Sequence, residues 1–530
     1  MPVLQIHFEE IAMYPGIHAT TAPNRPAAIL AGTDDVLTYS QLENRSVKLS
    51  NALRNAGMQV GDVVALLATN NTEMFVVYWA CLRSGFYLTP VNTHLSPSEI
   101  AYIVDDCGAK ALVVSDDLAT VADVARRTSG HVRISLVYGG ESVSGFDDYE
   151  EFLQAGSDVA PVDQPRGADM LYSSGTTGRP KGVKPPLSTR QVGDAGDPYV
   201  AVFGGTYNMS ADTVYFSPAP LYHAAPLRFG MITQSLGGTV ITSERFDAEE
   251  SLRIIDRHRV THSQWVPTHF VRMLRLPQEV RDCYDVSGLQ YAVHAAAPCP
   301  TEVKSQMMDW FGPILHEYYS STEANGITMV NPTEWIDKRG TVGKAKLGVI
   351  RVCGDDGVEL PTGASGVVYF EREALPFQYH NDTEKTVKAQ HPDHPNWTTC
   401  GDIGYVDDDG YLFLNDRKAF TIISGGVNIY PQEIENCLAL HPDVEDVAVI
   451  GVPDAEFGER VLAAVQLSSG VVGDESVTRR LQEFVREHLA GYKVPRDVRF
   501  VEALPRTPTG KLVKGPLRDR FADEEARLTP

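Results

Sequence analysis

The sequence lacks the features that mark several specialised classes of protein. Its seven cysteines are scattered and form no C-x-x-C pair, so neither a disulfide framework nor a zinc site is indicated. No uninterrupted apolar stretch approaches about 18 residues, the length that a membrane-spanning helix needs. Residues 1–16 contain two glutamates and no basic leader, so no secretory signal is predicted. We therefore expect reduced thiols and a cytoplasmic location.

Basic residues are in deficit. The chain has 46 Lys and Arg against 69 Asp and Glu, a net charge of −23. An acidic chain is a poor partner for nucleic acid or for an anionic membrane surface, so neither is expected as a partner. A length of 530 residues suggests two or more domains. No internal repeat or low-complexity segment is evident.

Strand and helix patterns alternate through the first 340 residues. Apolar runs at 63–67 and 111–115 predict buried strands, and 72–84 predicts a helix between strands. Such alternation predicts a largely parallel sheet covered on both faces. We expect Ser40 to cap the helix that follows it. Residues 184–212 lack periodicity and are expected to form a surface excursion.

The pattern changes after about residue 340. Short strands and Gly/Asp turns, as at 354–357 and 407–410, indicate a β-rich subdomain. Residues 415–418 then interrupt the apolar pattern, and a compact unit of mixed strands and helices follows. The predicted fold is α/β: a large N-terminal domain of doubly covered mixed sheets plus a β-rich subdomain (1–416), and a small α+β C-terminal domain (417–530).

One stretch is rich in groups that bind phosphate. Residues 172–182 read YSSGTTGRPKG. Glycines allow backbone N–H groups to converge on one point, and such groups form a concave anion site together with hydroxyls. Arg179 and Lys181 add positive charge. The pattern differs from the common G-x-x-x-x-G-K-[ST] loop, because Pro180 precedes the lysine. Composition alone leaves a polar turn between two strands as an alternative.

The string SSGTTGRPKG resembles the phosphate-binding loop of the adenylate-forming superfamily, which includes acyl-CoA synthetases, carrier-protein adenylation domains and beetle luciferases. These enzymes activate a carboxylate with ATP, so cations and a metal must offset the repulsion between two anions. The resemblance implies Mg²⁺ near Thr177. It implies ATP binding by Ser173, Ser174, Gly175, Thr176, Thr177, Gly178 and Lys181.

A second motif supports the resemblance. Residues 316–323 read HEYYSSTE and are similar to the superfamily's Y-G-x-T-E, with Ser320 where glycine is usual. The match implies that Tyr319 stacks on adenine, Thr322 reaches phosphate and Glu323 holds magnesium. Without the resemblance, a surface or helix-capping role for Glu323 is the alternative.

A third motif implies a ribose site. Thr399-Cys400-Gly401-Asp402 resembles the superfamily's T-G-D. By that match Asp402 accepts hydrogen bonds from the ribose hydroxyls, since a carboxylate has two acceptor oxygens, and Arg417 is the second ribose contact. The small-residue turn at 295–298, with Ala296, stands where the superfamily contacts adenine. A turn aspartate and an exposed hinge arginine are the alternatives.

Two motifs lie near the C-terminus. Residues 505–511 read PRTPTGK and match P-R-T-x-x-G-K, which implies that Lys511 bridges the acyl carboxylate and the α-phosphate. The loop containing Gly425 and Gly426 resembles the hinge-proximal loop of acyl-CoA ligases, where glycines let the pantetheine of CoA pass after the small domain rotates. We therefore expect the C-terminal domain to be mobile. Ala419 replaces the usual hinge Asp or Lys, and backbone rotation needs no side-chain charge.

The resemblance places the acyl pocket around 222–229, 265–268, Ala295 and 326–327, which are mostly apolar. His223 matches a position that flanks the acyl site, and a structural histidine is the equal alternative. These segments contain no acidic residue suited to binding the amino group of an amino-acid substrate. We therefore expect a hydrophobic carboxylic acid of the fatty, aryl or steroid-like kind, and a place in fatty-acid or lipid metabolism.

The predicted function is that of an AMP-forming acyl-CoA synthetase, a ligase that uses ATP, Mg²⁺ and coenzyme A. It forms acyl-AMP with release of pyrophosphate and then transfers the acyl group to CoA with release of AMP. Two alternatives remain open: an enzyme that loads a carrier-protein phosphopantetheine, and an inactive binding or scaffold relative. Neither the acid nor the oligomeric state, a homodimer included, follows from the sequence.

Overall fold

The computed structural model of the protein describes residues 13–140, 143–173, 180–454, 457–506 and 512–528. Helices and strands alternate up to residue 173, as predicted. The elements of this part are α1 (Pro15–Thr21), β1 (Pro26–Leu30), β2 (Val36–Thr38), α2 (Tyr39–Asn55), β3 (Val63–Leu67), α3 (Glu73–Leu82), β4 (Tyr87–Pro90), α4 (Pro97–Asp106), β5 (Ala109–Ser115), α5 (Ala119–Thr128), β6 (Ile134–Tyr138), β7 (Asp147–Asp148), α6 (Tyr149–Gln154), β8 (Ala168–Asp169) and β9 (Leu171–Ser173).

Six of these strands form a parallel sheet in the order β7-β6-β5-β3-β4-β8. Along β3, Val64 and Leu66 pack into one hydrophobic core, whereas Val63, Ala65 and Leu67 pack into another. Successive side chains of a strand point to opposite faces, so a wholly apolar strand requires cover on both. The predicted doubly covered sheet is confirmed.

Helix α2 is capped by a different residue from the one predicted. Thr38, not Ser40, is the N-cap: its hydroxyl accepts from the backbone N–H of Gln41 at 3.3 Å, and Gln41 Oε1 accepts from the backbone N–H of Thr38 at 2.8 Å. This reciprocal pair satisfies two N–H groups at the helix start. Ser40 has Glu43 at the same spacing, so the capping pattern alone does not distinguish the two hydroxyl residues.

Residues 180–337 continue the alternation. The elements here are β10 (Lys181–Lys184), a π-helical turn (Val200–Gly204), β11 (Val214–Ser217), α7 (Ala224–Ser235), β12 (Thr239–Thr242), α8 (Ala248–His258), β13 (His262–Trp265), α9 (Pro267–Leu274), α10 (Gln278–Arg281), β14 (Tyr291–His294), α11 (Thr301–Phe311), β15 (Leu315–Tyr319), β16 (Ile327–Val330) and α12 (Pro332–Asp337).

Short strands dominate the next part of the chain, as predicted from its Gly/Asp turns. The elements are β17 (Thr341–Leu347), β18 (Val349–Cys353), β19 (Gly366–Glu371), β20 (Gln378–Tyr379), α13 (Thr383–Lys388), β21 (Trp397–Thr398), β22 (Asp402–Val406) and β23 (Leu412–Arg417). Strand β20 pairs with β10, which pairs with β9, in a small antiparallel sheet.

Fourteen strands form the largest sheet, in the order β18-β19-β22-β23-β17-β16-β15-β14-β13-β11-β12-β1-β2, with β21 beside β19. The block β1-β12-β11-β13-β14-β15 is parallel, and from β15 to β18 every neighbour is antiparallel. The β-rich region therefore extends the large sheet through the β16–β17 pair.

The predicted surface excursion at 184–212 is wrong for its second half. Val200, Phe203, Tyr207 and Met209 are each at most 5% exposed and belong to the central hydrophobic core. The aromatic rings pack against Phe229 of α7, with centroids 5.0 Å away for Phe203 and 6.2 Å away for Tyr207. A short π-helical turn gives no regular apolar period, so the sequence pattern did not indicate burial.

The C-terminal part forms a separate five-stranded sheet. Its elements are β24 (Ile422–Ser424), β25 (Val427–Ile429), α14 (Pro431–Leu438), β26 (Val444–Asp454), β27 (Gly458–Leu467), α15 (Glu475–His488), β28 (Asp497–Val501) and α16 (Lys514–Leu528). The sheet order is β25-β24-β27-β26, with β28 parallel to β27. The chain changes sheet between Arg417 and Ile422. The predicted domain limits at 416/417 stay a prediction.

Glu435 has a role that the sequence did not indicate. An acid near the start of a helix interacts favourably with the helix dipole, and Glu433, which forms an ion pair with Lys493, stands in the first turn of α14. Glu435 instead is buried: its Oε1 lies 2.8 Å from Lys514 Nζ and accepts from the Val449 backbone N–H at 2.7 Å. Burial raises its pKa, and the lysine opposes that shift. The carboxylate joins α14, β26 and α16.

Within the described ranges, none of the helices combines the length and the hydrophobicity that a membrane span requires.

Candidate active site

The carboxyl ends of four parallel strands meet at one edge of the large sheet. These strands are β11, β13, β14 and β15. Ligands in open α/β sheets bind at this edge. A cavity of about 290 Å³ lies there. Its lining includes the predicted site residues Ser173, Lys181, His223, Ala296, Thr322, Glu323 and Arg417.

The two stems of the predicted phosphate loop reach this cavity. Ser173 ends β9, Lys181 begins β10, and the two residues are directly opposite each other in an antiparallel pair. The predicted loop residues Ser174, Gly175, Thr176, Thr177 and Gly178 lie outside the described residues. The described residues that flank them, Ser173 and Lys181, both line the cavity.

Glu323 is held by a residue that no motif indicated. Tyr379, in β20, donates its hydroxyl hydrogen to Glu323 Oε1 over 2.8 Å. Burial, and then the charge of Glu323, raise the pKa of Tyr379, so the phenol stays protonated as a donor. One carboxylate oxygen of Glu323 is thereby oriented and the other is available to a ligand. Tyr379 was missed because only the β10–β20 pairing brings it near.

Lys181 lies against the same tyrosine. Its Nζ is 5.0 Å from the centroid of the Tyr379 ring. Burial lowers the pKa of Lys181, and Lys385 lowers it further, whereas Glu323 raises it. Lys181 and Glu323 thus both line the cavity and both contact Tyr379, one at its ring and the other at its hydroxyl.

Asp402 joins two of the other predicted residues. Tyr319 donates its hydroxyl hydrogen to Asp402 Oδ2 over 2.6 Å, and Arg417 Nε donates to Oδ1 over 3.1 Å. Asp402 begins β22 and Arg417 ends β23, and the two residues are paired across these strands. Burial is the largest single influence and lowers the pKa of Arg417, but Asp402 and the neighbouring Cys400, Tyr319 and Glu323 together outweigh burial, so the pKa is raised. Each carboxylate oxygen keeps a further lone pair for a ligand hydroxyl.

A larger cleft of about 740 Å³ lies between the two sheets that flank residues 417–422. Ala296, Tyr319, Asp402 and Arg417 line one side. Residues of the C-terminal part line the other, among them Glu433, Glu435, Arg506 and Lys514. Arg417 borders both cavities, so the predicted ribose and phosphate positions are adjacent.

Gly425 and Gly426 are not brought to this site. They form the turn between β24 and β25, with φ of 57° and 80°, and neither lines the two cavities. The left-handed backbone explains why glycine is needed at both positions. Lys511 lies outside the described residues, so its predicted role is untested by the geometry.

Two alanines at the site adopt backbone angles that favour glycine. Ala296, after β14, has φ of 74°, and Ala324, next to Glu323, has φ of 51°. Such angles cost a residue with a Cβ about 1–2 kcal/mol. Ala296 and Ala324 are thus two of the five described non-glycine residues with positive φ, and both line the 290 Å³ cavity.

His223 precedes the first residue of α7 and lines the 290 Å³ cavity. Its ring centroid is 4.6 Å from that of Tyr222. The position suits the predicted contact with the acid, and the role itself stays a prediction.

The AMP-binding enzyme family model matches residues 17–379, and the model of the AMP-binding enzyme C-terminal domain matches residues 433–511. Together they cover most of both parts of the fold.

The chain belongs to the AMP-binding enzyme family.

Two characterised relatives match this AMP-binding enzyme along nearly all of its length. A feruloyl-CoA synthase of Amycolatopsis sp. is 34% identical over 521 residues, covering 96% of this chain and 99% of the relative. A long-chain-fatty-acid–CoA ligase of Mycobacterium tuberculosis is 31% identical over 512 residues, covering 95% of this chain and 97% of the relative. The predicted superfamily and the enzyme class, an AMP-forming acid–thiol ligase, are confirmed.

A solved structure supports the same assignment. ATP-bound MatB from Rhodopseudomonas palustris matches this AMP-binding enzyme with a TM-score of 0.79 and 28% identity, covering 97% of this chain and 100% of that one. The predicted α/β architecture is confirmed, and so are the predicted cofactors ATP, Mg²⁺ and coenzyme A.

The described residues of the AMP-binding enzyme fit these groups. The part of the chain with assigned positions contains no cluster of three or more His, Cys, Asp or Glu side chains that could hold a metal alone. Mg²⁺ is commonly bound by one or two carboxylates together with substrate phosphates, and Glu323 beside Lys181 meets that requirement. Bound there, Mg²⁺ would neutralise phosphate charge. Which residues bind each cofactor stays a prediction.

Proposed function

We propose that the protein is an acyl-CoA synthetase that activates a hydrophobic carboxylic acid as its acyl adenylate and then forms the acyl-CoA thioester. One observation carries the proposal. The cavity at the strand ends joins the phosphate-loop stems and Glu323 to a largely apolar wall that includes Ala225, Phe229 and Trp265. A charged phosphate and an apolar acid can therefore occupy neighbouring parts of one cavity.

In the first proposed step, a carboxylate oxygen of the acid attacks the α-phosphorus of ATP. The bond from that phosphorus to pyrophosphate breaks, and pyrophosphate leaves. Because both reactants are anionic, positive and N–H donor groups must lower the barrier. Lys181 supplies one cation beside the loop. Lys511 would supply another at the reacting carboxylate, and Arg417 with Asp402 would hold the ribose.

In the second proposed step, the sulfur of CoA attacks the acyl carbonyl carbon, and AMP leaves with the bonding electrons of the acyl–phosphate bond. The thiol proton goes to solvent or to the departing phosphate oxygen. Gly425 and Gly426 lie away from the cavities in the described arrangement. The thiol step therefore requires the C-terminal part to rotate, as the sequence resemblance implies.

The size of the cavity supports a compact acid. About 290 Å³ is at the lower limit of the range for drug-sized ligands, roughly 300–1,000 Å³, and the α-phosphate must share the space. We therefore favour an aryl or cycloaliphatic acid over a long alkyl chain. The name of the feruloyl-CoA synthase relative agrees with an aryl substrate, whereas that of the long-chain-fatty-acid–CoA ligase relative does not.

The test is a panel of aryl, cycloaliphatic and fatty acids scored for AMP release with and without CoA. We expect AMP release that depends on both the acid and CoA. ATP–pyrophosphate exchange without CoA-dependent AMP release would favour the alternative that loads a carrier protein, and a phosphopantetheinylated carrier protein should then restore turnover. Absence of exchange with every acid would favour an inactive relative.

A further inference from the structure

The acyl end of the cavity contains a buried ion pair that the sequence analysis did not anticipate. Arg228, on α7, donates from Nε to Asp169 Oδ2 over 2.9 Å, and its Nη2 is 2.7 Å from the same oxygen. The two side chains are 13% and 9% exposed. Arg228 lines the cavity. This cation was not expected, because the sequence analysis predicted a mostly apolar acyl pocket.

One edge of the Arg228 guanidinium remains open. Nε and Nη2 contact Asp169, and Nη1 has no hydrogen-bond partner in the part of the chain that the structure describes. Tyr199 also lines the cavity, and its ring centroid is 5.0 Å from Arg228 Cζ. Its hydroxyl likewise lacks a protein hydrogen-bond partner among the described residues. Two donors therefore border the cavity without a protein acceptor.

The ion pair that borders the cavity is already compensated, and Arg372, whose charge also reaches Tyr199, donates to the backbone carbonyls of Ala324 and Asn325 and does not line the cavity. Asp169 compensates Arg228. A second buried ion pair, Arg166 with Asp197 at 2.5 Å, lies close by. The charges of all four side chains affect the pKa of Tyr78. Arginine can only donate. A second carboxylate on the acid would add uncompensated negative charge to a buried region, whereas an uncharged oxygen would complete the hydrogen bonding without changing the net charge.

We propose that Arg228 and Tyr199 form a polar subsite that binds an uncharged oxygen, a ketone or a hydroxyl, carried on the hydrophobic body of the substrate acid. This inference rests on the proposed function and adds a substrate class to it. An acid that lacks the oxygen would leave buried donors unpaired, which costs binding energy. We expect oxygenated acids to be preferred about 10- to 100-fold in kcat/KM.

The substrate test uses pairs of acids that differ in one oxygen. The first pair is a cyclohexylpropanoate with and without a ring ketone, and the second is a phenylpropanoate with and without a para hydroxyl. A phenylpropanoate with a para carboxylate serves as the charged analogue. ATP–pyrophosphate exchange gives kcat/KM for each acid. A preference for the oxygenated member in at least one pair supports the subsite, and equal rates in both pairs overturn it.

The charged analogue separates two kinds of recognition. We expect it to be used less well than the hydroxylated acid. If it is used better, the subsite binds an anion and the proposed neutral acceptor is wrong. If no acid of the panel supports exchange, the proposed function fails as a whole, an outcome distinct from equal use of oxygenated and plain acids.

The variant test compares two buried arginines. Arg228→Lys keeps a positive charge beside Asp169 but removes the open guanidinium edge, and we expect the oxygenated-to-plain ratio to fall to within about 3-fold of unity. Arg166→Lys makes the same change at the neighbouring pair, which does not line the cavity, and should keep the wild-type ratio. A ratio that survives in Arg228→Lys, or that falls equally in both variants, overturns the assignment.

A second variant guards against misfolding. Arg228→Met combined with Asp169→Val removes both charges together, because an unpaired buried carboxylate would destabilise the fold. The ratio should again fall. Tyr199→Phe removes one hydroxyl only and should lower the ratio by a smaller factor. A ratio that persists in both of these variants would show that other groups recognise the oxygen, and the assignment of Arg228 and Tyr199 would be wrong.

Discussion

The two ends of the central cavity are built on different principles. At the phosphate end, Lys181 and Glu323 approach the cavity from a hairpin stem and a strand end, and each belongs to a recognisable motif. At the acyl end, Arg228 and Asp169 come from α7 and β8, belong to no motif, and are held by burial and by each other. The residues of each family motif are close in sequence, whereas the proposed substrate contacts are made between distant segments.

This difference predicts how substitutions should behave. Changes at the phosphate end should lower activity for all acids by the same factor, because every acid meets the same ATP. Changes at the acyl end should alter the order of preference among acids. The five predictions below test that contrast.

The largest effect is expected for Lys511→Ala. The variant should lose about 10³-fold in adenylation with every acid, since a cation at the reacting carboxylate is removed. Thioester formation from supplied acyl-AMP and CoA should persist. The two half-reactions are measured separately by pyrophosphate exchange and by CoA consumption. Equal loss in both would contradict the idea that this lysine serves only the first step.

Glu323→Gln should lower adenylation by about 10²-fold for all acids alike, because a carboxylate that holds the metal is lost. Tyr379→Phe is the matched control: it removes the hydrogen bond to Glu323 Oε1 and keeps the charge. It should cost less than about 10-fold. Measuring kcat/KM against Mg²⁺ concentration tests the assignment, and an unchanged Mg²⁺ dependence in Glu323→Gln would refute it.

The pH profile tests Lys181. Burial lowers its pKa, so its positive charge is lost at a lower pH than for an ordinary lysine, near 10.4. The kcat/KM of adenylation, which reports the free enzyme, should therefore fall about 10-fold on the alkaline side, as pH rises through the lowered pKa. Lys181→Arg should abolish that fall over the same range.

Lys385→Met provides a second arm of the pH test. After burial, the charge of Lys385 is the largest influence that lowers the pKa of Lys181. Removing that charge should therefore move the alkaline fall in kcat/KM to a higher pH. An identical profile in wild type, Lys181→Arg and Lys385→Met would mean that another group controls the reaction.

Ala225→Leu should distinguish acids by size. The added side chain would fill part of the acyl end, and we expect kcat/KM to fall about 10-fold for a phenylpropanoate and less than about 3-fold for propanoate. The two acids are assayed by pyrophosphate exchange. Equal loss for both acids would place Ala225 at the phosphate end and weaken the contrast between the two ends.

The smallest effect concerns backbone strain. Ala296→Gly should relieve the left-handed conformation at φ of 74° by about 1 kcal/mol and raise the Tm by about 1 °C. Ala297→Gly, at a neighbouring residue that is not among those with positive φ, should lower the Tm instead. Differential scanning calorimetry measures both. A fall in Tm for Ala296→Gly would show that the turn is not strained.

Local patterns explain the successes of the sequence analysis. The strand β3 is a continuous apolar run and must be covered on both faces, so its burial follows from composition alone. The sequence analysis named Asp402 and Arg417 as two motif positions fifteen residues apart but did not predict that they pair across strands. Their contact follows from the β22–β23 hairpin, which is itself local in sequence.

Non-local contacts explain the failures. Tyr379 reaches Glu323 because β20 pairs with β10 across almost 200 residues of sequence. Arg228 meets Asp169 because α7 packs near the end of β8. The rings of 200–209 are buried because α7 offers an aromatic surface. The members of the Tyr379–Glu323 pair and of the Arg228–Asp169 pair are far apart in sequence, so no local pattern could indicate either contact.

By itself, the sequence determined the alternation of strands and helices, the family and the cofactors, because each depends on neighbours within a few turns of chain. The binding roles of the phosphate and ribose motif residues stay predictions. Only the tertiary structure decided which donor holds Glu323, that the acyl end carries a buried cation, and that Gly425 and Gly426 lie away from the cavities. Those features depend on how separate segments pack, and packing is a property of the whole folded chain.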